Sequence, residues 1–163
     1  MKPTDETKML HRMAAYCSTA ERCILDVQQK IQAAGLTPEA GESIIAALKE
    51  DGFIDEKRYA RCFVKDKLCF NKWGRIRITY ELNKKNIPPE IGREVLDAID
   101  ETTYNSVLFS VLKEKKKTVH RKDEQEVFAQ LLRFAAGRGF ENEKIIPCLR
   151  RLLADNDYAD DLG

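Results

Sequence analysis

Glycine and proline are scarce in this chain, eight and five among 163 residues. Sandwiches and barrels need many turns, so the scarcity argues against both and leaves helices as the main element. Long apolar runs are missing as well. None approaches the ~18–20 residues that span a bilayer. The opening MKPTDETKML is polar and holds no apolar signal-peptide core. A soluble, cytoplasmic protein without membrane contact is the expectation. Only two histidines occur, His11 and His120, and neither lies near a cysteine in sequence. The five cysteines, Cys17, Cys23, Cys62, Cys69 and Cys148, form no CxxC pair. Zinc ligation is disfavoured, and no metal or cofactor is expected. The thiols read as small core hydrophobes in a reducing compartment. No P-loop, Gly-rich phosphate cradle, HExxH or GxSxG is present, so the chain is read as a non-enzyme.

What the chain does have is charge, at 34% of residues, and that charge is sorted. From Glu56 to Arg93 there are eleven Lys/Arg against four Asp/Glu. Residues 1–55 carry six against nine, and residues 94–163 carry eleven against fourteen. A near-neutral total of +1 therefore conceals a basic centre between two mildly acidic arms. Such a distribution draws an anionic partner to the middle of a molecule, or marks a solvated helix face rich in lysine.

The apolar residues repeat with a period near fifty. A short helix is predicted over 8–16. Ser18-Thr19-Ala20-Glu21 has the form of a capping box, with a helix from there to about Ala34. Gly35 has the place of a left-handed C′ residue, and Thr37-Pro38 opens a third helix that Asp51-Gly52 ends. Asp55 caps a fourth helix, Asn71-Lys72-Trp73-Gly74 breaks it, and Arg75 to Lys85 is helical again. Asn86 takes the place of Gly35, and Pro88-Pro89 restarts a helix. A shift of 51 aligns Val27 with Ile78, Ile31 with Leu82, Leu36 with Ile87, Gly41 with Gly92, Ile44 with Val95, Ile45 with Leu96 and Leu48 with Ile99. A further shift of 53 brings Leu131, Ala135, Phe140, Ile145, Cys148, Leu149 and Leu152 into register. The expected fold is all-α, with three tandem three-helix repeats forming an elongated, curved array. The repeats span 1–54, 55–101 (basic and central) and 102–163, the last with an acidic tail from Asp155. The third is the least regular. Pro147 falls about one turn into its last helix, which must start late or bend. Its first helix runs into the charge run 113–117, read as flexible or solvated.

On a helical wheel Ile78 and Leu82 point one way, and Arg77, Glu81, Lys84 and Lys85 share the opposite side. Ile76 and Tyr80 lie between, toward a second apolar seam. Lys65, Lys67 and Lys72 come from the helix and turn just before. Arg75 and Arg77 can make the forked contacts to carboxylate or phosphate that lysine cannot. Trp73, at the helix break, admits two readings: a stacking platform for a base or partner side chain, or a core aromatic. The candidate partner or nucleic-acid surface is thus Lys65, Lys67, Lys72, Trp73, Arg75, Arg77, Lys84 and Lys85. The two lone histidines receive no role.

GFIDEKRYARCFV followed by KWGRIRITYELNKKNI resembles the RecX family, bacterial regulators of the recombinase RecA. The residues that carry the likeness are Gly52, Phe53, Asp55, Glu56, Arg58, Tyr59 and Ala60. They continue with Gly74, Arg77, Ile78, Glu81, Leu82, Lys85, Asn86 and Ile87. Ser18, Glu21, Lys30 and Gly35 extend it into the first repeat. The likeness is specific over about residues 14–100 and architectural beyond. Asn86 replaces the usual Gly, and Arg75 stands where the family often has Pro. The resemblance implies a modular, crescent-shaped, non-catalytic monomer. It also implies binding to the RecA filament on single-stranded DNA, with inhibition of strand exchange, ATP hydrolysis and coprotease activity, and so an effect on DNA repair and the SOS response. The residues alone leave two other readings open: a direct binder of single- or double-stranded DNA, and a helical scaffold for another partner.

Overall fold

The computed structural model describes residues 4–120 and 123–161, with side chains up to Ala154 in the last helix. Among the described residues there are nine helices and no strand. They are α1 (Asp5–Thr19), α2 (Ile24–Ala33), α3 (Pro38–Glu50), α4 (Glu56–Cys69), α5 (Arg75–Lys84), α6 (Pro89–Asp97), α7 (Glu101–Lys116), α8 (Glu124–Gly137) and α9 (Asn142–Asp161). They fall three to a repeat, so the chain is an all-α protein of tandem three-helix repeats. None of the described helices is long and apolar enough to cross a membrane.

Local chemistry sets most of the boundaries. Thr37 Oγ1 accepts from the Ala40 amide and Pro38 opens α3. Asp55 Oδ1 accepts from the amides of Lys57 and Arg58 and starts α4. Gly35 (φ +83°) and Asn86 (φ +58°) take the left-handed conformation that ends α2 and α5. The capping box at Ser18 does not form. Helix α1 runs from Asp5, behind a Thr4 cap, through Ser18 to Thr19, well beyond the expected 8–16. The Ser18 hydroxyl donates back to the Ala14 carbonyl, the competing local bond available to a helical serine. Helix α2 begins only at Ile24, where Asp26 reaches back to the Cys23 amide. Helix α9 starts at Asn142 and runs through Pro147, so a late start is excluded. The charge run is not a flexible segment: α7 includes it as far as Lys116. The acidic residues from Asp155 lie in or beyond α9, and their side chains are outside the described residues.

Two compact units emerge. One gathers the residues up to Phe63 with Leu82–Val95, the other Val64–Glu81 with the residues from Leu96 onward. In the first, Met9, Met13, Val27, Ile31, Ile44, Ile45, Leu48 and Ile54 form the core. In the second, α7, α8 and α9 pack on one another around Tyr104, Leu108, Leu112, Leu131, Phe140, Ile145 and Leu149. The repeat register holds inside. Val27, Ile78 and Leu131 are all fully buried. The cysteines only partly follow expectation, since Cys23 is buried but Cys62 and Cys69 are exposed.

Each unit contains a junction of the same design, built on the middle helix of one repeat and the start of the next. In the first unit the N1 amide of α2, Ile24, donates to the Glu56 carboxylate of α4. In the second, the N1 amide of α5, Arg75, donates to the Tyr104 hydroxyl of α7. The second junction also brings two backbones together. The Gly74 amide donates to the Arg138 carbonyl and the Ile76 amide to the Gly139 carbonyl. A Cβ on Gly74 would lie 2.3 Å from the Gly139 oxygen, and a Cβ on Gly139 would lie 2.6 Å from the Arg77 nitrogen. Gly139 also holds φ +96°.

Gly74→Ala should therefore cost about 1–3 kcal/mol, the overpacking range, and lower the melting temperature by several degrees. Gly137→Ala is the control, because a Cβ there meets nothing within 4 Å and its helix gains from alanine. Thermal denaturation followed by circular dichroism separates the two. Equal melting temperatures for the two variants would contradict the backbone junction.

Candidate partner-binding surface

Of the eight candidate residues, seven cations and Trp73, six lie in the second unit and two, Lys84 and Lys85, in the first. Lys65 and Lys67 lie on α4, Lys72 and Trp73 in the turn after it, and Arg75 and Arg77 on α5. The Asn71 amide donates to Asp66 and the Trp73 amide to Lys67, closing the end of α4. Lys72 adopts φ +56°, an uncommon conformation for a residue with a side chain. Arg138 fixes it, donating to the Asn71 carbonyl at 2.6 Å and the Lys72 carbonyl at 3.3 Å. The Lys72 ammonium donates to Ser110 Oγ.

Trp73 is half-buried, with the Arg77 guanidinium 4.1 Å and the Lys67 ammonium 5.1 Å from its ring centroid. Both cations are therefore held at the indole, where a cation over an aromatic face is attracted by the ring quadrupole. Arg75 is not presented outward. It pairs with Glu101 at 2.7 Å and Glu141 at 3.1 Å, lies over the Tyr104 ring, and leaves 17% of its side chain exposed. Tyr104 in turn donates its hydroxyl to Glu141. Burial works against the Arg75 charge, but Glu141 and Glu101 outweigh it and raise its pKa. Lys65 is exposed.

In the first unit Lys84 is exposed, whereas Lys85 donates to Asp26 at 3.0 Å. Burial disfavours the Asp26 carboxylate, yet the bonds from Lys85 and Cys23 prevail and hold its pKa below the usual value. Glu56 goes the other way, its pKa raised by burial. Arg58 pairs with Glu21 and Lys57 with Glu94. Much of the cationic centre is thus paired with carboxylates that lie in the acidic arms of the sequence.

Three residues outside the charge-based set stand out. Phe70, Ile76 and Tyr80 are 82%, 59% and 62% exposed. Ile76 and Tyr80 do not enter a second apolar seam, contrary to the wheel reading. The repeat register carries the signal that the wheel misses. Tyr80 occupies the position of Gln29 and Arg133, both exposed, so its face points outward in every copy. Burial raises the pKa of Cys17 and Cys148 and pushes Cys23 up to about 11, away from the reactive thiolate. No group of three or more His, Cys, Asp or Glu that could hold a metal ion occurs among the described residues.

Fold and surface define an all-helical repeat protein whose exposed features suit binding. Residues 55–96 match the family model described as RecX, second three-helix domain. The regulatory protein RecX of Prosthecochloris aestuarii is 25% identical over 157 residues, covering 95% of this chain and all of that relative. The regulatory protein RecX of Clostridium perfringens is 28% identical over 82% of this chain. That of Clostridium botulinum is 34% identical over 70% of this chain. The chain spans 62% and 54% of these two clostridial relatives' lengths. The crystal structure of RecX from Lactobacillus salivarius superposes with a TM-score of 0.84 at 18% identity, covering 91% of this chain and 96% of that one. The family model, the relatives and the solved structures together support a RecX family protein.

The Lys85–Asp26 pair has a measurable acid signature. A carboxyl whose native pKa is depressed stabilises the fold fully above its ordinary value near ~4, and that contribution is lost as pH falls through the native value. Asp26→Asn should remove at most about 1 kcal/mol at neutral pH, the pair being partly exposed, and flatten the acid limb below about pH 4. Urea titrations at several pH values check this. An unchanged acid limb would contradict the pairing.

Proposed function

We propose that this chain is a non-catalytic, cytoplasmic regulator that binds the RecA recombinase, chiefly its filament on single-stranded DNA. By binding it inhibits RecA's strand exchange, ATP hydrolysis and coprotease activity, and so modulates DNA repair and the SOS response. Likeness to RecX proteins carries this reading, through a relative named regulatory protein RecX that matches along 95% of the chain. Repeat proteins act by presenting extended surfaces on which several modest contacts combine, which suits a filament as partner.

The contact surface proposed here is centred on the turn after α4 and the outer face of α5. The sequence-derived cations of the second unit contribute through Lys65 and Arg77, while Arg75 acts as an internal tie there and Lys85 as one in the first unit. Phe70, Ile76 and Tyr80 add the exposed apolar area that energetically dominant interface residues need, and aromatics lead among those residues. The pairing of so many central cations with carboxylates favours a protein contact over direct neutralisation of phosphates as the main source of affinity.

RecA ATPase on single-stranded DNA should fall when this protein is added. Phe70→Ala with Tyr80→Ala should weaken that inhibition about tenfold or more without lowering the melting temperature, both side chains being exposed. On naked single-stranded DNA the affinity should be feeble and shallow in salt, with a slope reflecting few contacts at roughly −0.7 each. An ATPase indifferent to the wild-type protein would refute the function. Full inhibition by the double variant would refute only the placement of the surface.

A further inference from the structure

A groove of about 640 Å³ runs between α1 and α2, within the first unit and apart from the residues assigned to RecA contact. Its floor is Met9 and Met13, each 3% exposed, with Ala33, the last residue of α2, and Ala34, which follows it, beside them. Tyr16 forms one wall. The Arg22 guanidinium lies 3.9 Å and the Lys30 ammonium 4.6 Å from its ring centroid. Arg22 is itself pinned, donating to the Tyr16 carbonyl and to Thr19 Oγ1. Arg12 completes the rim.

The contrast with the second repeat is informative. There Lys57, Arg58, Arg75 and Lys85 all meet carboxylates. Around this groove no ion pair engages Arg12, Arg22 or Lys30 among the described residues, and no carboxylate lines it. The carboxylates of α1, Asp5 and Glu6, stand in its first turn, outside the lining. Asp26 of α2 is held by Lys85. Three cations thus surround an apolar strip without internal compensation.

We propose that this groove is a second docking site, taking an acidic amphipathic helix of a protein partner. The apolar side of such a helix would lie on the methionines, whose unbranched, polarisable side chains adapt to varied occupants. Its flanking carboxylates would meet Arg12, Arg22 and Lys30, giving charge complementarity across the rim. A phosphate backbone would match the cations but leave the methionine and alanine floor without an apolar partner, which is why a protein segment is favoured over nucleic acid.

Three probes test it on the full chain: a fluorescein-labelled amphipathic peptide about four turns long with Leu on one face and Glu on the other, its Lys-for-Glu counterpart, and oligothymidylate. Binding is read by anisotropy, and position by the 13C-methyl signals of Met9 and Met13. The acidic peptide should bind saturably and move the Met9 and Met13 signals. Arg12→Glu with Lys30→Glu should weaken it about tenfold or more, both side chains being exposed, while circular dichroism stays unchanged. Arg12→Lys should retain most of the binding. Three results overturn the proposal: no saturable binding of the acidic peptide, equal binding of the Lys counterpart or by the double variant, or oligothymidylate moving Met9 and Met13 as far. RecA inhibition that survives loss of the groove, or fails while the groove binds, tells the two readings apart.

Discussion

The N1 amide of each of the first two middle helices, Ile24 and Arg75, finds its partner in the following repeat and not in its own local sequence, and the rest of the structure is arranged around that dependence. Position N-cap is Cys23 in α2. Gly74, which has no side chain, immediately precedes α5. An oxygen from the first helix of the following repeat supplies what is missing, Glu56 for Ile24 and Tyr104 for Arg75. A cation from the following repeat's second turn accompanies it. Lys85 reaches Asp26, and Arg138, its register equivalent, reaches the carbonyls of Asn71 and Lys72. Buried or half-buried donors without partners are costly, so a repeat of this kind is incomplete without its successor. The boundaries of the two compact units follow from this, since each encloses one junction. Helix α8 differs. Asp123 caps it locally by accepting from the Gln125 amide, and it begins about one turn earlier than the register of α2 and α5 would place it. It is complete as it stands.

The same logic gives the charge distribution a second meaning. Read along the chain, a basic centre between acidic arms resembles a polyanion site. In space, Arg58 meets Glu21, Lys85 meets Asp26, Lys57 meets Glu94, and Arg75 meets Glu101 and Glu141. Each pair joins the centre to an arm. Exposed pairs contribute little individually, but their signs disfavour wrong pairings of look-alike repeats. Arg75 is the stronger case, because its own side chain is largely buried and its charge-assisted bond to the part-buried Glu141 is shielded from water, although Glu101 is exposed. Charge segregation is therefore part of how the repeats find their order, and what remains for a partner is smaller and more apolar than the count suggests.

This explains which features could be read from residues alone. Periodic burial at shifts of 51 and 53, the left-handed Gly35 and Asn86, the Thr37-Pro38 start and the Asp55 cap are all local or repeat-level signals, and the structure shows each of them. The Ser18–Glu21 box failed because two local hydrogen-bonding schemes compete for one serine, and Glu21 is engaged by Arg58, 37 residues away. Arg75 and Arg77 looked alike on the wheel. Their fates diverge because Glu101, Glu141 and Tyr104 surround one and Trp73 the other, which no spacing rule encodes. Gly74 read as a helix breaker, whereas its tertiary role is to let another backbone approach.

The third repeat, the least regular in sequence, shows what such a unit must keep and what it can change. In the first two copies a glycine on the last helix faces a large residue on the middle helix. A Cβ on Gly41 would come 3.4 Å from Ile31, and one on Gly92 would come 3.7 Å from Leu82. The third copy reverses the sizes, with Ala135 and Ile145 at the same register positions, both fully buried. One small and one large residue fill the space in each case, so interior volume is conserved although neither identity is. Ile145 is therefore no break in the repeat. The outward position one face away is under no such constraint, and it carries Gln29, Tyr80 and Arg133 in turn. Packing holds the three copies to one architecture, and their surfaces are left to differ where a partner can distinguish them.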